Sequence, residues 1–430
     1  MATNNIITPS ELTKESLRIL HNNLGFVKGV NKEYSGQFGQ VGGKIGQSIN
    51  VRKPNRYVVQ QGPSINPQGT TESTVPLTLD RQWVVPMTFS SKELTLSLDE
   101  FSKRYIQPAM AKLASQIDLD CLSAAVAGSY VDGTAVAGGE VPIHQVVGTP
   151  GTTPGTSGGS ATGLLQYNAP MVYLNAGMML DNQAAPRDKK RSCGLNPAAH
   201  ASSVAGLSGL FNPQGVLSEQ YRNGMLGNAL GFDFYMDQNM PTYTSGTIAS
   251  LGTVTLTAAS ATATFAGGTA SKTITAGTIF TVAGVYAVNP ENQQSTGLLQ
   301  QFVVTAAASS DGSGNGSLSI FPTPVVAAST TAVANVTAVG AGAGTILTGG
   351  SGTATAYAQN LAYHEEAFTL GTCDMEIPNG LDFSARDTYD GISMRILRDY
   401  NIVNDFVVCR CDVLGGFATL RSDLACRITG

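Results

Sequence analysis

Charge is scarce in this sequence. Only 13% of its 430 residues are Asp, Glu, Lys or Arg, and 30 acidic against 25 basic side chains leave a formal net charge of -5. A protein whose main task is to grip nucleic-acid phosphates concentrates Lys and Arg, so that class is excluded and any contact with DNA is local. Long apolar runs are missing as well: no stretch approaches the ~18 consecutive apolar residues of a membrane-spanning helix. The opening MATNNIITPSELTKES has neither the basic nor the apolar region of a secretory signal, so synthesis and use in the cytoplasm are expected.

Chemistry-bearing residues are sparse and scattered. The four histidines, at 21, 144, 200 and 364, form no Ser/His/Asp or Cys/His grouping. The six cysteines, at 121, 193, 373, 409, 411 and 426, include no CxxC pair and have no nearby His to complete a zinc set, so isolated reduced thiols are expected. Cys409 and Cys411 lie two apart in a strand-like run and face one side of a sheet, which suits packing better than metal ligation. Gly155 to Gly159 spells GxSxG, but a nucleophile elbow needs a strand before it and a helix after it, and here it sits in a Gly/Thr/Ser loop. His364-Glu365-Glu366 lacks the second His of a zinc-protease helix and reads as surface charge. The glycines around Lys44 and Gly342 miss the phosphate-loop and dinucleotide spacings and read as flexible backbone. No catalytic, cofactor or metal residue is assigned, and no enzymatic activity is expected.

What is abundant is glycine, with 49 residues, and Ala, Thr, Ser and Val in the second half, a balance that favours β-rich and loop-rich structure. The length exceeds what one core usually serves, so two or three packed units or an extended subunit are expected. Thr8-Pro9-Ser10-Glu11 combines a capping box with Pro at the first helical position and predicts a short amphipathic helix. A glycine-rich connection follows. From Val75 to Phe89 the odd positions are mostly apolar and the even ones mostly polar or Pro, which predicts one strand of about 15 residues, ~50 Å long at ~3.3 Å per residue. Its expected partner is Gln47 to Gln60, with GPSINPQGTTEST between them as a hairpin tip. A two-stranded arm of that length is unstable alone and implies a neighbouring surface, either within a globular domain or on another copy of the chain.

A capping box at Ser97 to Glu100 precedes a predicted long helix from about Pro108 to about Ala127. The loop at 148–163 breaks the chain, and Asn168 to Ala185 again has helical spacing. Between Pro241 and Asn360 the only charged residues are Lys272, Glu291 and Asp311, which predicts a separate inserted β domain. ISMRILRDYN and NDFVVCRCDV alternate and predict a closing β hairpin.

This order resembles the HK97-type coat-protein fold of tailed double-stranded DNA phages, and specifically the P22-like coat family with its inserted domain. FSKRYIQPAMAKLASQIDLDCL resembles the start of the family's spine helix, and EQYRNGMLGNALGFDFYMDQNMP the stretch that leads to the insertion. TIFTVAGVYAVNPENQQSTGLLQQFVVTAAASSDGSGNGSLSIFP resembles the inserted domain, and MRILRDYNIVNDFVVCRCDVLGGFATLRSDLACRI the C-terminal sheet. The resemblance implies an α+β fold with an N-arm at 1–43, an extended β loop at 44–97 and a spine-helix region at 98–131. Peripheral and axial elements then occupy 132–240 with the Gly/Thr-rich loop, the inserted all-β domain 241–360, and the C-terminal sheet of the axial and peripheral domains 361–430.

The function implied is that of a major capsid protein, which self-assembles as pentamers and hexamers into an icosahedral shell in the host cytoplasm. Implied partners are a separate scaffolding protein, since only about 45 residues precede the arm, a portal protein, and packaged double-stranded DNA held non-specifically on the inner face, with no membrane. Candidate contact residues on the arm are Arg52, Lys53, Arg56, Tyr57, Arg81 and Trp83. For Trp83, ordinary strand packing and contact with a neighbour both remain open. Lys44 and Lys53 are placed to enter isopeptide bonds, but the resemblance implies shells held without such links. A decoration, tail or adhesion module is the competing reading of the Thr/Ala/Gly-rich insertion; the long helix after the long arm counts against it.

Overall fold

The computed structural model describes residues 9–38, 48–57, 59, 63, 73–90, 105–132, 136, 143–148, 170–207, 226–326, 333–349, 352–381, 383–402 and 405–429. The Ser97 capping box, Lys44 with its glycines, and Gly155 to Gly159 lie outside these residues.

Two helices organise the body. The first, Pro9–Asn23, buries Leu17 and Leu20 and lies against the second, Gln107–Ala127, and against strand Phe383–Tyr389. Pro108 sits in the first turn of the long helix, where its missing N–H costs nothing. At the other end Gly128 takes φ 70° and donates its N–H to the Ala124 carbonyl, a left-handed stop that only glycine adopts freely. Met110, Leu113, Ala114, Ile117, Cys121 and Leu122 are buried, so the helix is packed on most of its surface. Between the two helices the short 3-10 turn Phe26–Gly29 pushes Phe26 into a cluster with Tyr363, Phe368 and Phe417.

The long helix lies against a sheet of long strands. Phe406–Thr419 is central to it, pairing antiparallel with Ile392–Asn401, with Arg81–Ser90 and with Phe368–Cys373, and Phe383–Tyr389 extends the sheet beyond Ile392–Asn401. Cys409 and Cys411 are both buried, and Arg398 and Met87 are the cross-strand partners of Cys409. A second, six-stranded sheet has the order Val146–Val147, Ala425–Ile428, Asn360–His364, Arg191–Leu195, Phe232–Met236, Asn228–Ala229. Helix Pro170–Asn182 covers it through Tyr173, Ala176 and Leu180, and Tyr173 Oη bonds Ser203 Oγ of the neighbouring helix Pro197–Leu207.

The charge-poor segment forms a closed six-stranded barrel in the order Thr262–Ala266, Gly316–Phe321, Ser295–Val304, Ile279–Val288, Ala341–Ile346, Thr253–Leu256. Closure removes the free edges that a polar but uncharged sheet would otherwise expose to pairing. Its core is its own, built on Val254, Leu256, Phe265, Phe280, Phe302 and Leu318. Gly342 therefore belongs to a barrel strand and not to flexible backbone: a Cβ there would lie 2.4 Å from the Ala283 carbonyl oxygen, so the close approach of two strands requires glycine. A two-stranded neck, Thr242–Thr244 with Ala356–Ala358, leads from body to barrel.

Two expectations are corrected. The strand predicted over Val75 to Phe89 is two strands, Thr74–Thr78 and Arg81–Ser90, which pair with different partners. The first pairs with Ser48–Arg52 and the second joins the long sheet; the break falls at Leu79-Asp80, where Asp80 Oδ1 accepts the Tyr130 hydroxyl. His364 is not surface charge but fully buried at a strand end, with Nε2 3.0 Å from Asp188 Oδ1 and Nδ1 accepting the Glu366 N–H. Its neighbours do reach the surface, where Glu365 pairs with Lys190 and Glu366 with Arg421.

Candidate functional site

The arm leaves the body where Phe406–Thr419 ends. Val51, Leu77 and Leu79 bury themselves against Ala418 and Leu420 in a small core separate from the main one. Gly416 makes this possible: a Cβ there would lie 1.8 Å from the Thr78 carbonyl oxygen, so any side chain would lift the arm off its seat. The antiparallel pair Ser48–Arg52 and Thr74–Thr78, in register Ser48 to Thr78, carries the chain outward.

The six candidate residues fall into two groups. Arg81 and Trp83 turn inward at the root. Arg81 grips Asp132 with both terminal nitrogens, at 2.8 and 2.7 Å, and its guanidinium stacks 3.8 Å over the Tyr130 ring; the carboxylate raises the arginine pKa further. Trp83 is 5% exposed and its indole N–H donates to Asp120 Oδ2 at 2.8 Å, so the ring joins the arm root to the long helix within its own chain. The other four residues lie on the arm. Arg52 and Lys53 line a cavity of about 200 Å³ with Glu33, Tyr34, Glu366 and Arg421. Arg56 donates to Asp423 at 3.1 Å. Burial lowers the pKa of Arg421, Asp423 opposes that, and the like charge of Arg56 adds to it. Tyr57 is exposed to 62% and Val59 to 90%, so the arm carries apolar groups into water.

Three features were not singled out in the sequence. The first is Asp118, whose carboxyl accepts the N–H of Gly25 at 2.7 Å and of Val27 at 3.0 Å and so fixes the N-terminal turn to the long helix. Burial pushes its pKa up to about 7, the two N–H groups partly oppose this, and Asp237, itself raised by burial, adds to the rise. The signal was a carboxylate within the apolar helix run QIDLDCL. The second is Arg427, fully buried at the joint between the second sheet and the barrel, with Nη1 donating to the Gly277 carbonyl at 3.0 Å. Gln301 closes the same joint by accepting the Val146 N–H and donating back to its carbonyl. The third is the tip of the closing hairpin, where Ile402 is 83% exposed between Asp399 and Asp405.

Among the described residues no three His, Cys, Asp or Glu side chains gather to hold a metal, and no helix is long and apolar enough to cross a membrane. An arm seated on its own small core, a separately cored barrel and apolar groups held in water describe a protein that acts through its surfaces, a subunit of an assembly. The family model of the P22 coat protein, gene protein 5, matches residues 173–430, more than half of the chain, and the chain belongs to that family. It is a major capsid protein with an α+β fold, and copies of it form the icosahedral shell.

Solved structures similar to this chain include one of Mycobacterium phage Che8, 9% identical with a TM-score of 0.44 over 94% of this chain and 90% of that one. The capsid of Cyanophage P-SCSP1u is 10% identical, with a TM-score of 0.39 over 89% and 83%. The virus-like particle of Pyrococcus furiosus is 8% identical, with a TM-score of 0.37 over 97% of both chains. No curated protein matches the sequence.

Proposed function

We propose that this capsid subunit assembles in the host cytoplasm around a separate scaffolding protein, as pentamers and hexamers with a portal, and encloses double-stranded DNA without reading its sequence. It does so without catalysis of its own and without covalent links between copies. The arm is the main lattice contact: Arg52, Lys53, Arg56 and Tyr57 meet a neighbouring copy, while Arg81 and Trp83 hold the root in place. The observation that carries this reading is that Tyr57 and Val59 stand in water at the end of a two-stranded element too small to be stable alone. A net charge of -5 fits a container whose contact with DNA is local. Deleting residues 62–74 tests the arm. The expected result is a chain that folds, with an unchanged thermal unfolding midpoint, and sediments as small species instead of shells. Shells of normal size from the deleted chain would remove the arm from the lattice contact.

A further inference from the structure

Gln359, Arg427 and Thr429 are fully buried, and together they hold five side-chain polar atoms without a protein partner: Arg427 Nε and Nη2, Gln359 Nε2 and Oε1, and Thr429 Oγ1. The second sheet brings them to one place. Arg427 is the cross-strand partner of Leu361 and Ile428 that of Asn360, and the same register continued by one residue sets Gln359 opposite Thr429. Residues two apart on a strand share a face, so Thr429 stands beside Arg427 with Gln359 across from it. The backbone is fixed there, since the Arg427 N–H donates to the Gln145 carbonyl and the Thr429 N–H to the Val147 carbonyl. Neck and barrel close over the site. The Tyr243 and Tyr357 rings of the neck meet edge-on at 5.7 Å, and the Gly277 carbonyl of the barrel takes Nη1 of Arg427 at 3.0 Å.

The open atoms of Arg427 have a chemistry of their own. Nε and Nη2 lie on one edge of the guanidinium, the edge that holds an anion through two parallel N–H bonds. Among the described residues no carboxylate pairs with this cation; the groups that face its charge are the phenols of Tyr243 and Tyr357 and the thiol of Cys426. A buried charge needs a counter-charge. Water would satisfy the N–H groups but leave the charge unbalanced, and a multiply charged anion would replace one excess charge with another. A single positive charge in a space closed to solvent fits a small monovalent anion.

We propose that Arg427, Gln359 and Thr429 bind one chloride ion at the joint between the second sheet and the barrel. Arg427 Nε and Nη2 hold the ion, and Gln359 Nε2 and the Thr429 hydroxyl complete its shell. Gln359 Oε1, which can only accept, takes no part.

Chloride dependence tests the site in the unassembled chain, independently of shell formation. Ionic strength is held fixed while chloride replaces gluconate, an anion too large for a closed site. Urea unfolding of the wild-type chain should then show its folding equilibrium constant rising about tenfold between about 10 and about 200 mM chloride. Arg427→Met should show no such rise. A second measurement needs no variant: crystals of the wild-type chain grown in bromide should give an anomalous difference peak in contact with Arg427 Nε and Nη2. A chloride response of equal size in Arg427→Met would overturn the site, and density beside Arg427 without anomalous signal would overturn it by assigning the position to water.

Discussion

Asn in place of Asp118 isolates one buried proton. In the folded chain burial raises the Asp118 pKa from its ordinary 3.8 to about 7. A carboxyl whose folded pKa lies above its unfolded one contributes stability that is fully present below 3.8 and is lost as the pH rises through 7. Just over three pKa units at ~1.4 kcal/mol each make that loss about 4 kcal/mol. The Asn variant has no such proton. It carries a constant cost instead, because the Gly25 and Val27 N–H groups bond different carboxylate oxygens and one of them would then face an amide N–H. Leaving a buried donor unsatisfied costs about 1–3 kcal/mol. Urea unfolding of the unassembled chain should therefore find wild type more stable near about pH 4, Asp118→Asn more stable near about pH 8, and the difference shifting by about 4 kcal/mol between them. Lys28, Asp237, Tyr235 and Tyr363 face the same site and are unchanged in both proteins, so the difference isolates Asp118. A difference that stays flat across this range would refute the buried proton.

Burial holds Arg427 down to about 10 from 12.5, about 3 kcal/mol against the buried cation, and its bond to the Gly277 carbonyl offsets only part of this, because Nε and Nη2 are buried without a protein partner. In chloride-free buffer Arg427→Met should thus leave unfolding stability unchanged or raise it by about 1–3 kcal/mol, whereas Arg427→Ala leaves a cavity and should be less stable than the Met variant by about 2 kcal/mol or more. A loss above about 3 kcal/mol for the Met variant would reveal a counter-charge. At the arm root, Asp120→Ala removes the acceptor of the Trp83 indole and should cost about 1–3 kcal/mol, while Asp120→Asn keeps an acceptor and should cost less. Trp83 is the only tryptophan, so its fluorescence reads that unfolding directly, and equal losses in the two variants would contradict the role of the bond.

Much of this architecture is legible where a pattern acts locally. Pro9 and Pro108 mark helix starts because their constraint is within one turn, and the alternation in ISMRILRDYN and NDFVVCRCDV emerges as the paired strands Ile392–Asn401 and Phe406–Thr419. The loss of charge after Pro241 corresponds to a barrel with its own core. What alternation leaves out is the partner: Leu77, Leu79, Trp83 and Val85 keep one period-two register across Arg81, yet the strand changes sheets there. His364 and Arg427 are ionisable residues in short strand runs, NLAYH and ACRI, and they stay buried because distant segments close over them, Asp188 in one case and Gly277 in the other. For the candidate site, cations and a tyrosine on the arm could be read directly.

Electron microscopy of the chain, expressed with and without the proposed scaffolding protein, tests the central claim most directly. Closed shells of uniform diameter in the presence of the scaffolding protein are the predicted result. Monodisperse monomers under both conditions would contradict self-assembly as the work of this protein.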